Sequence, residues 1–291
     1  MDPTALILGI AATFVWGLTW MLMKAGVDRM NRIAFGFVRP LMALPFILLF
    51  AWATDGLDFV SPVATLVALA GGALNAFVGT ALFYYALHHG SMHETNILAN
   101  TNPFWGVVSA ILFLGEPATL PIFGAGLLVI AGTVFLVRTR EGHRHARTLS
   151  ALAAALGAGI VWAFSSTVPT KFCVTQGMSP ITYLFLFTVS GAFCWTLAAL
   201  PRLVRRTLTF TCKGLWIAFT SSLLGIIVGW ILWLMALERV NASTLSPLVG
   251  LTLLFATVLG VIFLKQRLTG KMAIGGALIL AGVTLVSVFA G

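Results

Sequence analysis

The chain has 291 residues, of which 59% are hydrophobic and 9% are charged, and its mean hydropathy is +1.03. An ordinary soluble domain carries about 25% charged residues, so this composition excludes a soluble protein and indicates an integral membrane protein. The formal net charge of +9 does not indicate a nucleic-acid partner. The basic residues lie in short segments beside apolar spans, where they set orientation and meet anionic lipid.

Ten apolar stretches of about 20 residues, the length that crosses the hydrocarbon core of a bilayer, follow one another along the chain. The first stretch is not expected to be a cleavable signal, because no basic side chain precedes it and no small-residue cleavage site follows it. We therefore predict an all-α integral membrane protein with ten transmembrane helices. The predicted spans are residues 5 to 25, 33 to 53, 63 to 88, 94 to 114, 119 to 138, 150 to 171, 179 to 200, 214 to 237, 242 to 264 and 269 to 289.

The sequence also repeats itself. Residues 86 to 134 align without a gap with residues 236 to 284 at an offset of 150, with eleven identities. A second match, Val15 and Trp16 with Val161 and Trp162, falls at an offset of 146. Internal repeats in membrane proteins are typical of transporters, whose substrate sites lie at the repeat interface. The predicted parts are a first five-helix repeat over residues 1 to 138, a basic linker over 139 to 149 and a second five-helix repeat over 150 to 291.

The distribution of charge predicts an inverted repeat. When loops are numbered by the helix that they follow, the odd-numbered loops hold fifteen of the 17 basic residues, and only Lys171 and Arg239 lie on the other side. The odd-numbered loops are therefore predicted to be cytoplasmic. A unit of five helices crosses the membrane an odd number of times, so its copy must be inverted. Equivalent loops do carry opposite charge: loop two has two acids, whereas loop seven has four bases.

These features resemble the drug/metabolite transporter superfamily and, within it, the ten-helix EamA-type transporters, nearest to bacterial amino-acid exporters of the YddG type. The resemblance lies in the ten spans, in the run Ala11 to Gly17 of the first span and in the run Phe113 to Pro117 between spans four and five. It implies two inverted five-helix repeats and a location in the bacterial inner (plasma) membrane. Members of this family often have cytoplasmic termini, whereas the charge bias predicts the opposite orientation here.

Polar side chains inside the spans are candidates for a central cavity, because each needs a partner or a substrate in a medium without water. In span four they recur every three or four residues from His93 to Pro103, on one helix face. The alternative is that the asparagines of this stripe only join neighbouring helices. Trp16 and Trp162 are repeat equivalents well inside their spans. The candidate substrate-binding residues are Thr13, Trp16, Trp20, Asn75, Tyr84, Tyr85, His93, Asn96, Asn100, Trp162, Ser166, Ser243 and Ser246.

Charged residues constrain the mechanism. The small multidrug members of the superfamily use a glutamate deep in helix one for proton coupling, but this sequence has no acid between Pro3 and Val27. The titratable residues nearest to the stripe are His93 and Glu94, and Lys24 and Arg39 lie on the same side of the membrane. A salt bridge among these four residues is the alternative to a role in proton coupling. Without a deep charge, the cavity is expected to suit a neutral or zwitterionic solute.

We predict a secondary transporter that moves small metabolites, with amino-acid export preferred, by alternating access through a cavity between the repeats. The alternatives are an exporter of lipophilic drugs or amphipathic cations, and a non-transporting scaffold or lipid-handling protein. No P-loop, hydrolase or zinc-protease motif is present, so we expect neither an enzyme nor a cofactor. No metal site is expected, and the expected partners are a small-molecule substrate and membrane lipid. The oligomeric state is not predicted.

Overall fold

The computed structural model describes residues 1–54, 56–89, 92–137, 149–264 and 269–289. These residues form helices without strands, and the helices follow the ten predicted spans. Among the residues described, nine helices are long and apolar enough to cross a membrane, and Leu120–Phe135 is a shorter apolar helix. The prediction of an all-α membrane protein is therefore confirmed. The predicted basic linker lies outside the described residues, except for Leu149 at the start of a helix.

We number the ten helices α1 to α10 in chain order. Six of them run without interruption. These are α1 (Pro3–Val27), α2 (Arg32–Ala53), α5 (Leu120–Val137), α6 (Leu149–Thr175), α7 (Pro180–Val204) and α10 (Gly270–Phe289). The other four consist of consecutive segments. These are α3 (Pro62–Gly72, Ala73–Gly79 and Thr80–His89), α4 (Met92–Ala99 and Asn102–Leu114), α8 (Cys212–Ser221, Ser222–Val228 and Gly229–Leu237) and α9 (Ala242–Leu245, Ser246–Gly250 and Leu251–Leu264).

Equivalent helices of the two repeats begin with equivalent N-caps. The side chain of Asn31 caps α2, and that of Ser179 caps α7. Ser61 and Thr211, which are 150 residues apart, cap α3 and α8 through 3.1 Å bonds from the backbone N–H three residues later. Such a side chain satisfies an N–H group that has no partner inside its helix. The two repeats therefore share N-cap residues at equivalent positions as well as identical residues.

The helices of each repeat pack extensively on those of the other. Helix α1 lies on α8 and α9, α6 lies on α3 and α4, α2 packs on α7, and α5 packs on α10. A Cβ atom on Gly132 would lie 2.6 Å from the Gly275 carbonyl oxygen, and one on Gly282 would lie 2.8 Å from the Ala125 carbonyl oxygen. These equivalent glycines let α5 and α10 approach closely, as small residues do between membrane helices. Exchanging the two repeats leaves all these pairings unchanged, as an inverted repeat requires.

Helices α3 and α8 each contain a π-helical segment, Ala73–Gly79 and Ser222–Val228. The two segments occupy equivalent positions of the repeat, in the middle of their helices. A π-helical register leaves backbone carbonyls available to other donors and is frequent at functional sites. At membrane depth such backbone is tolerated where protein covers it or where it lines a cavity. The two segments therefore mark the part of the fold in which a substrate site is expected.

Candidate functional site

Trp16 and Trp162 each donate a hydrogen bond to the π-helical segment of the other repeat. The Nε1–H group of Trp16 donates to the Gly225 carbonyl oxygen of α8 at 3.1 Å, and that of Trp162 donates to the Asn75 carbonyl oxygen of α3 at 3.1 Å. Asn75 and Gly225 are 150 residues apart, so the repeat relates the two bonds. Each indole satisfies a carbonyl of the interrupted helix and joins the two repeats.

Both indole rings lie directly on glycine backbone. A Cβ atom on Gly229 would lie 2.4 Å from Trp16 Nε1, and one on Gly79 would lie 2.5 Å from Trp162 Nε1. These distances are well below a van der Waals contact, so a larger residue at either position would displace the indole. Gly79 and Gly229 are repeat equivalents. The spacing of glycines in α3 and α8 therefore makes room for the first helix of the opposite repeat.

A third indole bonds to the π-helical segment of α3. Trp195 of α7, which the sequence analysis did not single out, donates from Nε1 to the Ala76 carbonyl oxygen at 2.7 Å. Its ring lies 5.3 Å from the ring of Phe77 and 6.0 Å from that of Tyr84, centroid to centroid. Trp16 is likewise surrounded by aromatic rings, since it lies 5.6 Å from Trp230 and 5.3 Å from Trp233. Aromatic faces therefore dominate the surroundings of both segments.

A small cleft separates α4, α6 and α9, and Asn102, Gly106, Ser166, Thr167 and Ser246 are among its lining residues. Ser166 and Ser246 were predicted site residues, whereas Asn102 and Thr167 were not. The hydroxyls of both serines donate to carbonyls of their own helices at 2.7 Å. The interior volume of the cleft, about 10 Å³, corresponds to about one water molecule. The cleft is therefore a constriction between the repeats.

Three further predicted residues lie on α1, α3 and α4, with Thr13 and Asn100 buried and Asn75 half-buried. The Nδ2–H group of Asn75 donates to Ser165 Oγ at 2.9 Å, which joins α3 to α6. The hydroxyl of Thr13 donates to the Ile10 carbonyl oxygen of its own helix at 2.9 Å. Asn100 is also buried, with 7% of its surface exposed. Asn75 thus makes one contact across the repeats through its side chain and accepts another, from Trp162, through its carbonyl.

Glu116 closes one end of the repeat interface. Its two carboxylate oxygens accept hydrogen bonds from the backbone N–H groups of Ala242 and Ser243, at 2.8 and 2.7 Å. These are the first two residues of α9, so an acidic side chain from the first repeat meets the positive end of a helix dipole in the second repeat. At the same end, the Lys171 ammonium donates to the carbonyls of Leu237 and Val240, where α8 finishes.

The two ends of the interface are packed differently. At the Glu116 end, the first segments of α9 (Ala242–Leu245 and Ser246–Gly250) pack on the Asn102–Leu114 segment of α4. The equivalent segments at the opposite end, Met92–Ala99 of α4 and Leu251–Leu264 of α9, do not pack closely over their described residues. Over the residues that the structure describes, the interface is therefore packed at the Glu116 end, on the side of the even-numbered loops, and less closely packed at the other end.

Arg39 corrects the expectation that the interface holds no deep charge. It lies seven residues after the start of α2 at Arg32, which places it about 10 Å along the helix axis. Its Nη2–H group donates to the Ser221 carbonyl oxygen of α8 at 3.2 Å, and its Nη1–H group donates to Met23 Sδ of α1 at 3.4 Å. The sequence does indicate this position, because Arg39 is a single cation inside an apolar span.

Three other predicted residues, Trp20, Tyr85 and Ser243, are not brought into this group. Tyr85 has 44% of its surface exposed, stacks on His89 at 4.4 Å and donates to or accepts from Ser150 Oγ at 3.4 Å. Trp20 is half-buried on α1. Ser243 is buried, and its hydroxyl has no hydrogen-bond partner in the described structure. The side chains of two further predicted residues lie outside what the structure describes. These are His93 and Asn96.

The titratable residues outside the spans form a mixed cluster at the Glu116 end. Burial raises the pKa of the Glu238 carboxyl, and the positive charges of Arg239 and Lys171 oppose this shift. Arg239 also forms an ion pair with Asp2 at 3.9 Å. Within the described part of the chain, no group of three or more histidine, cysteine or acidic residues could hold a metal ion. The chemistry of the described site is therefore that of amides, hydroxyls, indoles and one guanidinium.

Two known proteins resemble this chain over nearly its whole length. An "Uncharacterized transporter" of Archaeoglobus fulgidus is 23% identical over 283 residues, which cover 93% of each chain. A "Probable amino-acid metabolite efflux pump" of Escherichia coli is 23% identical over 289 residues, which cover 95% of this chain and 92% of the relative. Both relatives therefore share the size and the extent of this protein, although the identity is low.

A solved crystal structure and a family comparison extend this likeness to the fold. The crystal structure superposes with a TM-score of 0.84 at 17% identity, over 100% of this chain and 98% of the other, which shows a shared fold. Residues 3–138 and 149–288 each match the EamA-like transporter family. These two matches coincide with the two repeats. Each repeat places one tryptophan, Trp16 or Trp162, against the π-helical segment of the other. The chain therefore belongs to the EamA-like transporter family.

Proposed function

We propose that this transporter is a secondary exporter of amino acids in the bacterial inner membrane and that it works by alternating access. The observation that carries the proposal is the unequal packing of equivalent segments in an inverted repeat. One end of the interface is closed by α9 on α4, whereas the equivalent segments at the other end are less closely packed over their described residues. Exchanging these two arrangements would expose the same central groups to the opposite side of the membrane.

The chemistry of the interface favours a small polar solute with an apolar part. Asn75 and Ser166, which are half-buried, bond to backbone or side-chain groups of α3 and α6 around Trp162. The amide of Asn100 is buried in α4. Free amino acids combine hydrogen-bonding ends with side chains that pack on aromatic rings. The relative from Escherichia coli, whose name refers to amino-acid metabolite efflux, supports the same substrate class.

Counterflow in proteoliposomes tests the proposal. Vesicles containing the purified protein are loaded with one unlabelled L-amino acid at a time, and uptake of the labelled form is measured. We expect exchange of at least one amino acid, a loss of rate in Asn100→Ala, and an unchanged rate in the matched control Tyr85→Phe, whose ring is exposed. Exchange of amphipathic cations without amino acids would select the drug-export alternative. Absence of all exchange would favour a non-transporting scaffold.

The proposed orientation places the odd-numbered loops in the cytoplasm. Reporter fusions at Asp58, in loop two, and at Arg205, in loop seven, distinguish the two orientations. We expect a cytoplasmic reporter signal at Arg205 and a periplasmic signal at Asp58, because short basic loops remain in the cytoplasm. The reverse pattern would overturn the orientation and leave the transport proposal unaffected.

A further inference from the structure

Arg39 is enclosed by helices of both repeats. Its guanidinium lies against Met23 of α1 and the Ser221 carbonyl of α8. The side chain is nevertheless not fully buried. Its described contacts come from α1 of the first repeat and α8 of the second, so Arg39 lies where the two repeats meet.

Among the side chains that the structure describes, no acidic residue is recorded as a partner of this cation. Of the eight aspartate and glutamate residues, only Glu94, in the Met92–Ala99 segment of α4, lies within one of the ten helices, and its side chain is outside what the structure describes. A charge at membrane depth is costly unless it is paired, and such residues commonly mark substrate paths. The described hydrogen-bond partners of Arg39 are a carbonyl oxygen and a thioether sulfur, and its Cζ atom lies 5.8 Å from the centroid of the Phe35 ring. These two bonds use two of the five N–H donors of the guanidinium, and the others have no hydrogen-bond partner in the described structure.

One donor of Arg39 is also unsatisfied inside the protein. The Nε atom is buried and has no hydrogen-bond partner in the described structure. A buried donor without a partner is destabilising. A site that binds an anion only part of the time provides a reason for this arrangement, because a bound anion would neutralise the guanidinium and let its donors reorient.

The surroundings of Arg39 suit the remainder of an amino acid. Trp195 lies on the helix turn before Arg39, since a Cβ atom on Gly36 would lie 2.8 Å from its ring. Trp195 also contacts the ring of Tyr84. Aromatic faces attract ammonium groups and pack on apolar side chains. A carboxylate at Arg39 would therefore place the rest of the solute beside two aromatic rings.

We propose that Arg39 binds the carboxylate of the transported solute and that this contact selects amino acids over their uncharged or decarboxylated analogues. The inference rests on the proposed function, because it assigns a recognition residue to the same site. It is narrower than that function, since an amino-acid transporter could also hold its substrate entirely through amides and hydroxyls. The carboxylate would accept hydrogen bonds from the guanidinium where the two repeats meet.

The test compares each exchanged L-amino acid with its carboxamide and with the amine that lacks the carboxyl group. Counterflow competition is measured in wild type, Arg39→Lys, Arg39→Met and the control Arg32→Met, which removes an exposed arginine from the same helix. We expect wild type and Arg32→Met to prefer the amino acid at least tenfold. Arg39→Lys should keep part of this preference, and Arg39→Met should lose it while remaining monodisperse in detergent.

The outcomes separate the two proposals. Equal competition by amino acids and their carboxamides in wild type would overturn the role of Arg39 and leave amino-acid transport standing. This arm needs no variant, so a poorly folded Arg39→Met protein would not obscure it. Absence of amino-acid exchange in wild type would overturn both proposals. An unchanged preference in folded Arg39→Met would assign carboxylate recognition to other residues.

Discussion

Replacing Glu116 should open the closed end of the interface. The carboxylate accepts two backbone hydrogen bonds, at 2.8 and 2.7 Å, from the first turn of α9. A bond to a charged group contributes about 1.5 to 3 kcal/mol, and water can replace part of this at a partly exposed residue. We take about 1 kcal/mol for each bond. Glu116→Ala should therefore weaken closure by about 2 kcal/mol, which is about a 30-fold change in the equilibrium between closed and open forms.

The assay is the labelling rate of a single cysteine in the cleft. Ser246→Cys is placed in a protein whose native cysteines are replaced, and a membrane-impermeant maleimide is added on the side of the even-numbered loops. We expect about 30-fold faster labelling in Glu116→Ala. Glu116→Gln keeps one acceptor oxygen and should give about fivefold. Asp2→Asn, which loses only an ion pair of 3.9 Å at the same end, is the control. Equal rates in Glu116→Ala and the parent would refute the closure role.

Two further predictions concern the contacts between the repeats. Gly229→Ala should lower stability by about 1 to 3 kcal/mol, because its Cβ atom would lie 2.4 Å from Trp16 Nε1. Gly270→Ala, whose Cβ atom would meet nothing within 4 Å, should leave the melting temperature in detergent unchanged. In a double-mutant cycle, Asn75→Ala and Ser165→Ala should show a coupling energy of about 0.6 kcal/mol, typical of one hydrogen bond between membrane helices. Strict additivity would mean that the 2.9 Å bond contributes nothing.

Some parts of the site could be predicted from the sequence because the repeat conserves them. Trp16 and Trp162 were recognised as a pair from their offset, and the structure gives them equivalent bonds. The π-helical segments that accept these bonds were not recognised, because their carbonyls are paired with indoles of another helix, and the sequence of one helix does not show such contacts. Periodicity describes only one helix at a time.

Adjacent tyrosines show the same limit. Tyr84 and Tyr85 are neighbours in sequence and point about 100° apart on a helix. Tyr84 contacts Trp195, whereas Tyr85 is exposed beside His89. The sequence analysis considered Arg39 only as a salt-bridge partner. The groups around it, Met23, Trp195 and Ser221, come from α1, α7 and α8, which a single span does not reveal.

The sequence by itself determined that this is a ten-span membrane protein with an inverted repeat. The length of each apolar stretch, the charge of each loop and the constant offset are properties of the linear chain. Span length follows from the thickness of the bilayer, and loop charge predicts orientation. The tertiary structure alone decided which end of the interface is closed, which residues meet across it, and that Arg39 lies among helices of both repeats. These depend on the relative placement of helices far apart in the chain, where equivalent segments such as Met92–Ala99 and the start of α9 adopt different packing.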